Sequence, residues 1–97
     1  MDNRDYLIIL YDFYSELLND KQKEYFENYY FDNYSLSEIS LNNNISRNAV
    51  HKNIKSIEEK LLFYEEKLKL YYKKELLKEY ISKIDDNDIR EKISELY

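Results

Sequence analysis

Apolar side chains recur at intervals of three and four along most of the chain, a spacing that places them on one face of an α-helix. The first such stretch predicts a helix from about Asp2 to Leu18. Asn19 with Gln22 three residues later resembles a capping box and predicts that a second helix starts there. The sequence therefore opens with two predicted helices.

A short third helix and the start of a long fourth one are marked by their capping residues. Ser35 and Glu38 have the spacing of a full capping box. Three asparagines at 42–44 follow within two turns. Asn tolerates the left-handed conformation that often ends a helix, so we expect the third helix to end there. Ser46 is the predicted cap of the next helix.

The fourth predicted helix carries a long, regular apolar seam. Its positions alternate spacings of four and three, and they are Val50, Ile54, Ile57, Leu61, Tyr64, Leu68 and Tyr71. That pattern is typical of a coiled-coil-like contact. Beyond Tyr71 the apolar positions shift, which predicts a kink or break near 72–74 and leaves open whether the helix runs unbroken past Tyr72. A last short helix is expected to start at Asp85 or Asp86.

The composition agrees with an all-α fold. The chain has 97 residues, without Gly, Pro or Cys, so tight β-turns are disfavoured and helix interiors are uninterrupted. Codon usage in an AT-rich genome is a competing cause of the same bias. Lack of Cys excludes disulfides and Cys-based metal sites and favours the cytoplasm. We find no membrane-spanning apolar run and no signal-peptide pattern.

Catalytic and metal-binding functions are disfavoured by the residues present. His51 is the only histidine, so a His-based metal site lacks partners. No set of nucleophile, base and oxyanion donors can be assembled, and we predict neither enzyme activity nor a cofactor. The adjacent pairs Glu58–Glu59 and Glu65–Glu66 are interpreted as solvent-facing charge. The chain has twelve tyrosines, and four of them lie at helical core spacing: Tyr25, Tyr29, Tyr30 and Tyr64. These four are expected to pack in the core with their hydroxyls at its rim, rather than to stack on bases.

Two helices joined by a three- to four-residue turn predict a helix-turn-helix around residues 35–60. The polar face of its second helix carries residues that read base edges in such motifs, namely Arg47, Asn48, His51 and Lys52. Lys55 and the helix-start serines Ser35, Ser37 and Ser46 are candidate phosphate contacts. A solvated polar face without nucleic-acid contact is the alternative interpretation.

Charge is distributed unevenly along an acidic chain. The formal net charge is -5, with -4 in residues 1–20 and -3 in residues 85–97, whereas residues 46–60 carry +2. The middle of the chain can therefore meet a phosphate backbone, although through few contacts. We expect modest affinity and a moderate dependence on salt.

We expect an N-terminal helix-turn-helix domain over residues 1–61 and a C-terminal helical extension over residues 62–97. A domain this small can hardly cover so long an apolar stripe, so we predict a homodimer. The predicted interface consists of Leu61, Tyr64, Leu68, Tyr71, Leu77 and Ile81. The alternative is that the seam folds back on the first helix.

The segments "DKQ", "YY", "SLSEI", "SRNAV", "NIK" and "YEEKL" between Tyr11 and Tyr71 resemble the YlxM family of bacterial helix-turn-helix proteins. The resemblance implies a fold like region 4 of sigma factors, related to winged-helix arrangements. It also implies a regulatory or accessory role in the signal recognition particle pathway, inferred from gene neighbourhood.

A departure from the usual motif and the acidic net charge of the chain leave the ligand open. Asn43 stands where such motifs usually carry Phe or Leu, and we expect its side chain to reach solvent or cap a helix end. The leading hypothesis is a DNA-binding regulatory protein. The alternative is an accessory factor that binds the particle's RNA through the same basic face, or its GTPase through the acidic ends.

Overall fold

The computed structural model describes residues 2–97, and these residues form six α-helices and one short 3-10 helix. The all-α prediction is confirmed. In chain order the elements are α1 (Asn3–Tyr14), the 3-10 helix (Ser15–Leu17), α2 (Asp20–Tyr30), α3 (Leu36–Asn43), α4 (Arg47–Leu68), α5 (Leu70–Ile81) and α6 (Asn87–Ser94). Among these described helices, none is both long and apolar enough to cross a lipid bilayer.

The first helix ends earlier than its apolar pattern predicts. α1 stops at Tyr14, and the chain tightens into a 3-10 helix that reaches Leu17. Leu18 is extended, with φ -99° and ψ 151°. This extended backbone leads into Asn19, whose side chain accepts from the Gln22 amide at 2.8 Å. The predicted capping box of α2 is confirmed, because the Gln22 side chain also accepts from the Asn19 amide.

One hydrophobic core joins α1, α2, α3 and α4. Its buried members are Leu7, Leu10, Tyr11, Tyr14, Leu18, Tyr25, Phe26, Tyr30, Ile39, Val50, Ile54, Ile57 and Leu61. Aromatic rings stack at its centre, with ring centroids 4.2 Å apart for Tyr11 and Phe26 and 4.3 Å for Phe26 and Tyr30. Stacked pairs contribute beyond their buried area, and the pair of Tyr11 on α1 with Phe26 on α2 helps fix these two helices against each other.

Two of the core tyrosines, Tyr11 and Tyr30, reach carboxylates at the edge of the core with their hydroxyls. Tyr11 donates to Glu27 at 2.7 Å, and Tyr30 donates to Glu58. Burial and these bonds raise the pKa of both tyrosines above the usual value for the side chain. The predicted placement of Tyr30 in the core, with its hydroxyl at the rim, is confirmed.

The long seam is interrupted at Lys69, which adopts the left-handed conformation with φ 56° and ψ 33°. The helix from Ser46 therefore does not run unbroken past Tyr72, and the break precedes the predicted region at 72–74. A left-handed backbone at a non-glycine residue costs about 1–2 kcal/mol. Interactions around the break must offset that cost.

Side chains from α1 and α4 cap the first turn of α5. The Glu65 carboxylate accepts from the amides of Tyr71 and Tyr72, both at 3.1 Å. The Tyr14 hydroxyl donates to Glu65 at 2.5 Å and accepts from the Leu70 amide at 3.0 Å. We call these five residues the α4–α5 joint. It satisfies three amides that a new helix would otherwise leave without partners.

Glu65 is only 8% exposed, so the prediction that both carboxylate pairs face solvent is wrong. In each pair one member turns inward: Glu58 and Glu65 bond tyrosine hydroxyls, while Glu59 and Glu66 are exposed. Adjacent residues on a helix point about 100° apart, so burying one of them leaves the other in water. Burial and the bond to Glu65 raise the pKa of Tyr14 to about 12.

The C-terminal helices α5 and α6 form an arm that makes the molecule elongated. Its extents are 57 × 24 × 24 Å, and its radius of gyration is 17.3 Å, against about 13 Å for a compact chain of this length. Asp86 caps α6 by accepting from the Asp88 and Ile89 amides, which confirms the predicted start. Ile81, near the end of the arm's first helix, is buried within the chain. The expected domain boundary at 61/62 lies inside α4.

Candidate nucleic-acid interface

α3 and α4 form the helix-turn-helix, and each begins at a serine cap. The Ser35 hydroxyl accepts from the Glu38 amide at 3.1 Å, and the Glu38 carboxylate returns to the Ser35 amide at 3.2 Å. Asn44 is left-handed, with φ 54° and ψ 44°, as predicted for the turn. Ser46 then caps α4 by accepting from the Ala49 amide at 3.1 Å.

The polar Asn43 is partnered at the end of α3. Its side-chain amide donates to the Ile39 carbonyl at 2.8 Å, and its side-chain oxygen accepts from the Lys21 ammonium at 2.5 Å. The expectation that Asn43 caps a helix end is confirmed. This position therefore links α3 to α2 by hydrogen bonds where an apolar residue would pack.

All eight residues predicted to contact nucleic acid are exposed. They are Ser35, Ser37, Ser46, Arg47, Asn48, His51, Lys52 and Lys55. The five on α4 share an arc of roughly 140° at the start of the helix. The opposite side of α4 carries buried Val50, Ile54 and Ile57, so packing against α1, α2 and α3 fixes which face points outward.

The cationic side chains of this surface, which we call the basic face of α4, are not neutralised by carboxylates of the described chain. Within residues 2–97, Arg47, Lys52 and Lys55 take part in none of the ion pairs. The face ends at Glu58 and Glu59, whose carboxylates would repel a phosphate backbone. The usable basic surface thus covers about the first three turns of α4.

The capping serines remain able to donate. Each hydroxyl uses an acceptor lone pair for the helix amide, and its proton is still free for another partner. Ser37, in the first turn of α3, is exposed as well. Ser35 and Ser37 lie together at the start of α3, whereas Ser46 lies at the start of α4.

Most of the residues predicted for a dimer interface contact other parts of the same chain. Leu61 is fully buried in the core, and Ile81 is 7% exposed. The Tyr64 ring lies near that of Tyr14, with centroids 5.9 Å apart. The seam therefore folds back on α1 over much of its length.

Tyr71 also packs against α1, where its ring centroid lies 6.0 Å from those of both Tyr6 and Phe13. Leu68 and Leu77 are 44% and 38% exposed. These two residues are the members of the predicted interface that remain substantially open to a partner.

The sequence pattern did not indicate that Glu65, Tyr14 and Lys21 form hydrogen bonds between helices. From the sequence, Glu65 is predicted to face solvent because it is a charged residue next to the regular apolar seam. A signal existed for Lys21: a polar residue at Asn43, in a normally apolar place, requires a nearby polar partner.

An all-α chain with a short capped helix, a left-handed turn and an exposed basic face on the next helix is a helix-turn-helix protein. The sequence profile of the UPF0122 family, described as "Putative helix-turn-helix protein, YlxM / p13 like", matches residues 1–96. The chain belongs to this family, and the resemblance seen in the sequence is confirmed.

Relatives cover most of the chain. A UPF0122 protein of Malacoplasma penetrans is 45% identical over 87 residues, which are 90% of this chain and 81% of that protein. One from Oceanobacillus iheyensis is 43% identical over 100 aligned residues, covering 99% of this chain and 95% of that protein. One from Caldanaerobacter subterraneus is 48% identical over 81 residues, covering 84% and 69%.

Proposed function

We propose that this protein is a non-enzymatic DNA-binding regulator that places the start of α4 in the major groove of duplex DNA. The observation that carries the proposal is the exposed, unpaired basic face of α4, held outward by a buried opposite face. An α-helix of about 10–12 Å diameter fits a major groove about 12 Å wide.

Each polar residue of the face has a role that its chemistry suits. Arg47 can bond guanine through two donors, and Asn48 can bond adenine through a donor and an acceptor. His51 and Lys52 complete the contacts to base edges. Lys55 neutralises phosphate, and the serine hydroxyls at the start of α3 donate to phosphate oxygens.

We further propose that two copies assemble through the arm. Leu77 lines an apolar groove of about 320 Å³ together with Lys73, Leu76 and Tyr80. An arm that extends the molecule to 57 Å leaves such a groove without cover in one copy. A two-fold dimer would present two copies of α4 to an inverted-repeat site.

We also propose that the regulatory role is connected with the signal recognition particle pathway. The family resemblance supports this connection. If the basic face instead binds the particle's RNA, the same residues would matter but duplex DNA would not be selected. Particle RNA is therefore titrated beside duplex DNA.

Titration of fluorescent duplex DNA and of particle RNA at two salt concentrations tests the proposal. Arg47→Ala and Lys52→Ala are compared with Lys60→Ala, a control on α4 that removes the same charge from the side away from the proposed face. Loss of a base contact costs about 1–3 kcal/mol, so each test variant should bind a preferred duplex about 5- to 150-fold more weakly.

The control should lose little affinity, and all proteins should bind random DNA weakly. Tight RNA binding together with equal, weak binding to every duplex would contradict DNA readout. Equal losses for Lys52→Ala and Lys60→Ala would show that only overall charge matters.

A further inference from the structure

A polar cleft of about 310 Å³ lies between the start of α2 and the middle of α4. Lys21 and Tyr25 line it from α2, and Asn53 and Ser56 line it from α4. We call it the α2–α4 cleft. None of these four residues is part of the basic face described above, although the cleft borders the same helix.

The Tyr25 hydroxyl is a donor that the fold leaves unused. Its side chain is only 7% exposed and lines the cleft. Among residues 2–97 the hydroxyl has no hydrogen-bond partner, whereas the buried hydroxyls of Tyr11, Tyr14 and Tyr30 each bond a carboxylate. Among residues 2–97 no buried side-chain oxygen lacks a partner, so the Tyr25 oxygen is open to the cleft and can donate to water or to a ligand there.

The Lys21 ammonium is positioned at the cleft by three neighbours. It donates to the Asn43 side chain at 2.5 Å, lies 3.3 Å from the Glu24 carboxylate and sits 5.3 Å from the centre of the Tyr25 ring. The ion pair with Glu24 is about half exposed on both sides. Such a pair contributes little, so a phosphate can replace it without a large loss.

The wall formed by α4 offers two further donors. Asn53 is half-buried and Ser56 is exposed, and within the described chain neither side chain is hydrogen-bonded to another residue. The amides at the start of α2 are not needed for a site here, because the capping box of Asn19 and Gln22 already serves that helix end. The side chains alone make up the donor set.

With α4 in the major groove as proposed, the cleft would border a DNA strand. Ser56 follows Lys52 by one turn and lies next to it around the helix, beside the proposed base-reading arc. A helix in the major groove nearly fills its width, so the phosphates of the groove walls run along the flanks of the helix. A backbone phosphate on that flank would face Lys21 across the cleft.

We propose that the α2–α4 cleft binds a backbone phosphate of duplex DNA, and this inference rests on the proposed function. Lys21 supplies the charge, while the Tyr25 hydroxyl, the Asn53 amide and the Ser56 hydroxyl supply neutral donors. A phosphate contact carries no sequence information, so its role is to fix the register of α4 in the groove.

The test measures duplex affinity against salt concentration for Lys21→Gln and for the control Lys23→Gln. Lys23 lies two residues further along α2 and pairs with Glu16 at 3.5 Å. Loss of one phosphate contact reduces the slope of log affinity against log salt by about 0.9. We expect this reduction for Lys21→Gln only, with the same fractional loss on every duplex sequence.

A second variant, Tyr25→Phe, removes only the hydroxyl and keeps the buried ring. It should weaken binding to all duplexes by one common factor without changing the slope, because no charge is lost. If Lys21→Gln fails to fold by circular dichroism, the result for Tyr25→Phe decides.

The two proposals fail in different ways. If Arg47→Ala impairs binding while Lys21→Gln keeps the wild-type slope and Tyr25→Phe keeps the wild-type affinity, the cleft inference is overturned and DNA readout stands. If the wild type binds no duplex, both are overturned. A loss confined to RNA also overturns the cleft inference.

Discussion

Replacing Glu65 by alanine is the most informative perturbation of the fold, because this carboxylate receives three hydrogen bonds at the break between α4 and α5. One comes from the Tyr14 hydroxyl at 2.5 Å, and two come from the amides of Tyr71 and Tyr72 at 3.1 Å. The substitution leaves those donors without their acceptor inside a largely buried site.

The size of the effect follows from the kind of bond. A hydrogen bond to a charged group contributes about 1.5–3 kcal/mol, but bonds that share one acceptor do not add fully. We therefore expect Glu65→Ala to lower the free energy of unfolding by about 2–4 kcal/mol. A domain of this length has roughly 5–15 kcal/mol in total, so the change would be large.

Urea denaturation of Glu65→Ala and of Glu66→Ala measures this difference. Glu66 is the matched control: its side chain is 71% exposed, and within residues 2–97 it forms one ion pair, with Lys67 at 3.9 Å. The control should stay within about 0.5 kcal/mol of the wild type. Hydrogen exchange at the amides of 70–72 should accelerate in Glu65→Ala only.

A loss below about 0.5 kcal/mol in Glu65→Ala, with unchanged exchange at 70–72, would refute the reasoning. It would mean that solvent replaces the carboxylate at no cost, and that the α4–α5 joint does not fix the arm. A double-mutant cycle with Tyr14→Phe adds a further check. The two changes should be coupled by about 0.5–3 kcal/mol, because each removes a partner of the other.

Three further predictions follow from the same structure. Lys69→Gly should raise the free energy of unfolding by about 1 kcal/mol in urea titrations, since glycine adopts φ 56° without strain; destabilisation would contradict this. Leu77→Asp should convert a dimer to a monomer in sedimentation, whereas Leu41→Asp, at a site 81% exposed on α3, should not; a wild-type monomer would contradict the dimer. Alkaline pH should destabilise the protein, because the pKa of Tyr14 is about 12 in the fold and about 10 when unfolded. The stabilising contribution of the protonated Tyr14 hydroxyl is complete below pH about 10 and is lost as pH rises towards about 12. Urea unfolding over this pH range should give a flatter stability profile for Tyr14→Phe. An unchanged profile would contradict this prediction.

Local signals explain why much of the helix-turn-helix could be predicted. Ser35 and Ser46 cap helices through amides three residues away, and Asn44 turns the chain by its own conformation. The exposed face of α4 follows from helical periodicity once the buried positions are known. All of these depend on residues that are neighbours in sequence.

Interactions between distant residues explain what the sequence pattern missed. Tyr14 and Glu65 are 51 positions apart, yet together they allow the helix to break at Lys69. The apolar spacing continues across Lys69 as far as Tyr71, so periodicity places the break near 72–74 and not at Lys69. The α2–α4 cleft is likewise formed by segments that only the tertiary fold brings together, with Lys21 on one side and Asn53 on the other.

The dimer prediction shows how the fold can change the meaning of a pattern. A seam with heptad spacing can pair with a second chain or with another helix of the same chain. Here Leu61 and Tyr71 pack within the chain, while Leu68 and Leu77 stay exposed. The sequence located the apolar stripe, but only the placement of α1 determines which part of it is free.

Selection of duplex sites from a random pool tests the central claim most directly. The wild type should enrich an inverted repeat, and Asn48→Ala should lose preference at one position in each half-site, because an Asn contact discriminates between bases. Lys60→Ala should enrich the same sites as the wild type. Failure of the wild type to enrich any sequence, or identical sites for the wild type and Asn48→Ala, would contradict base readout by α4.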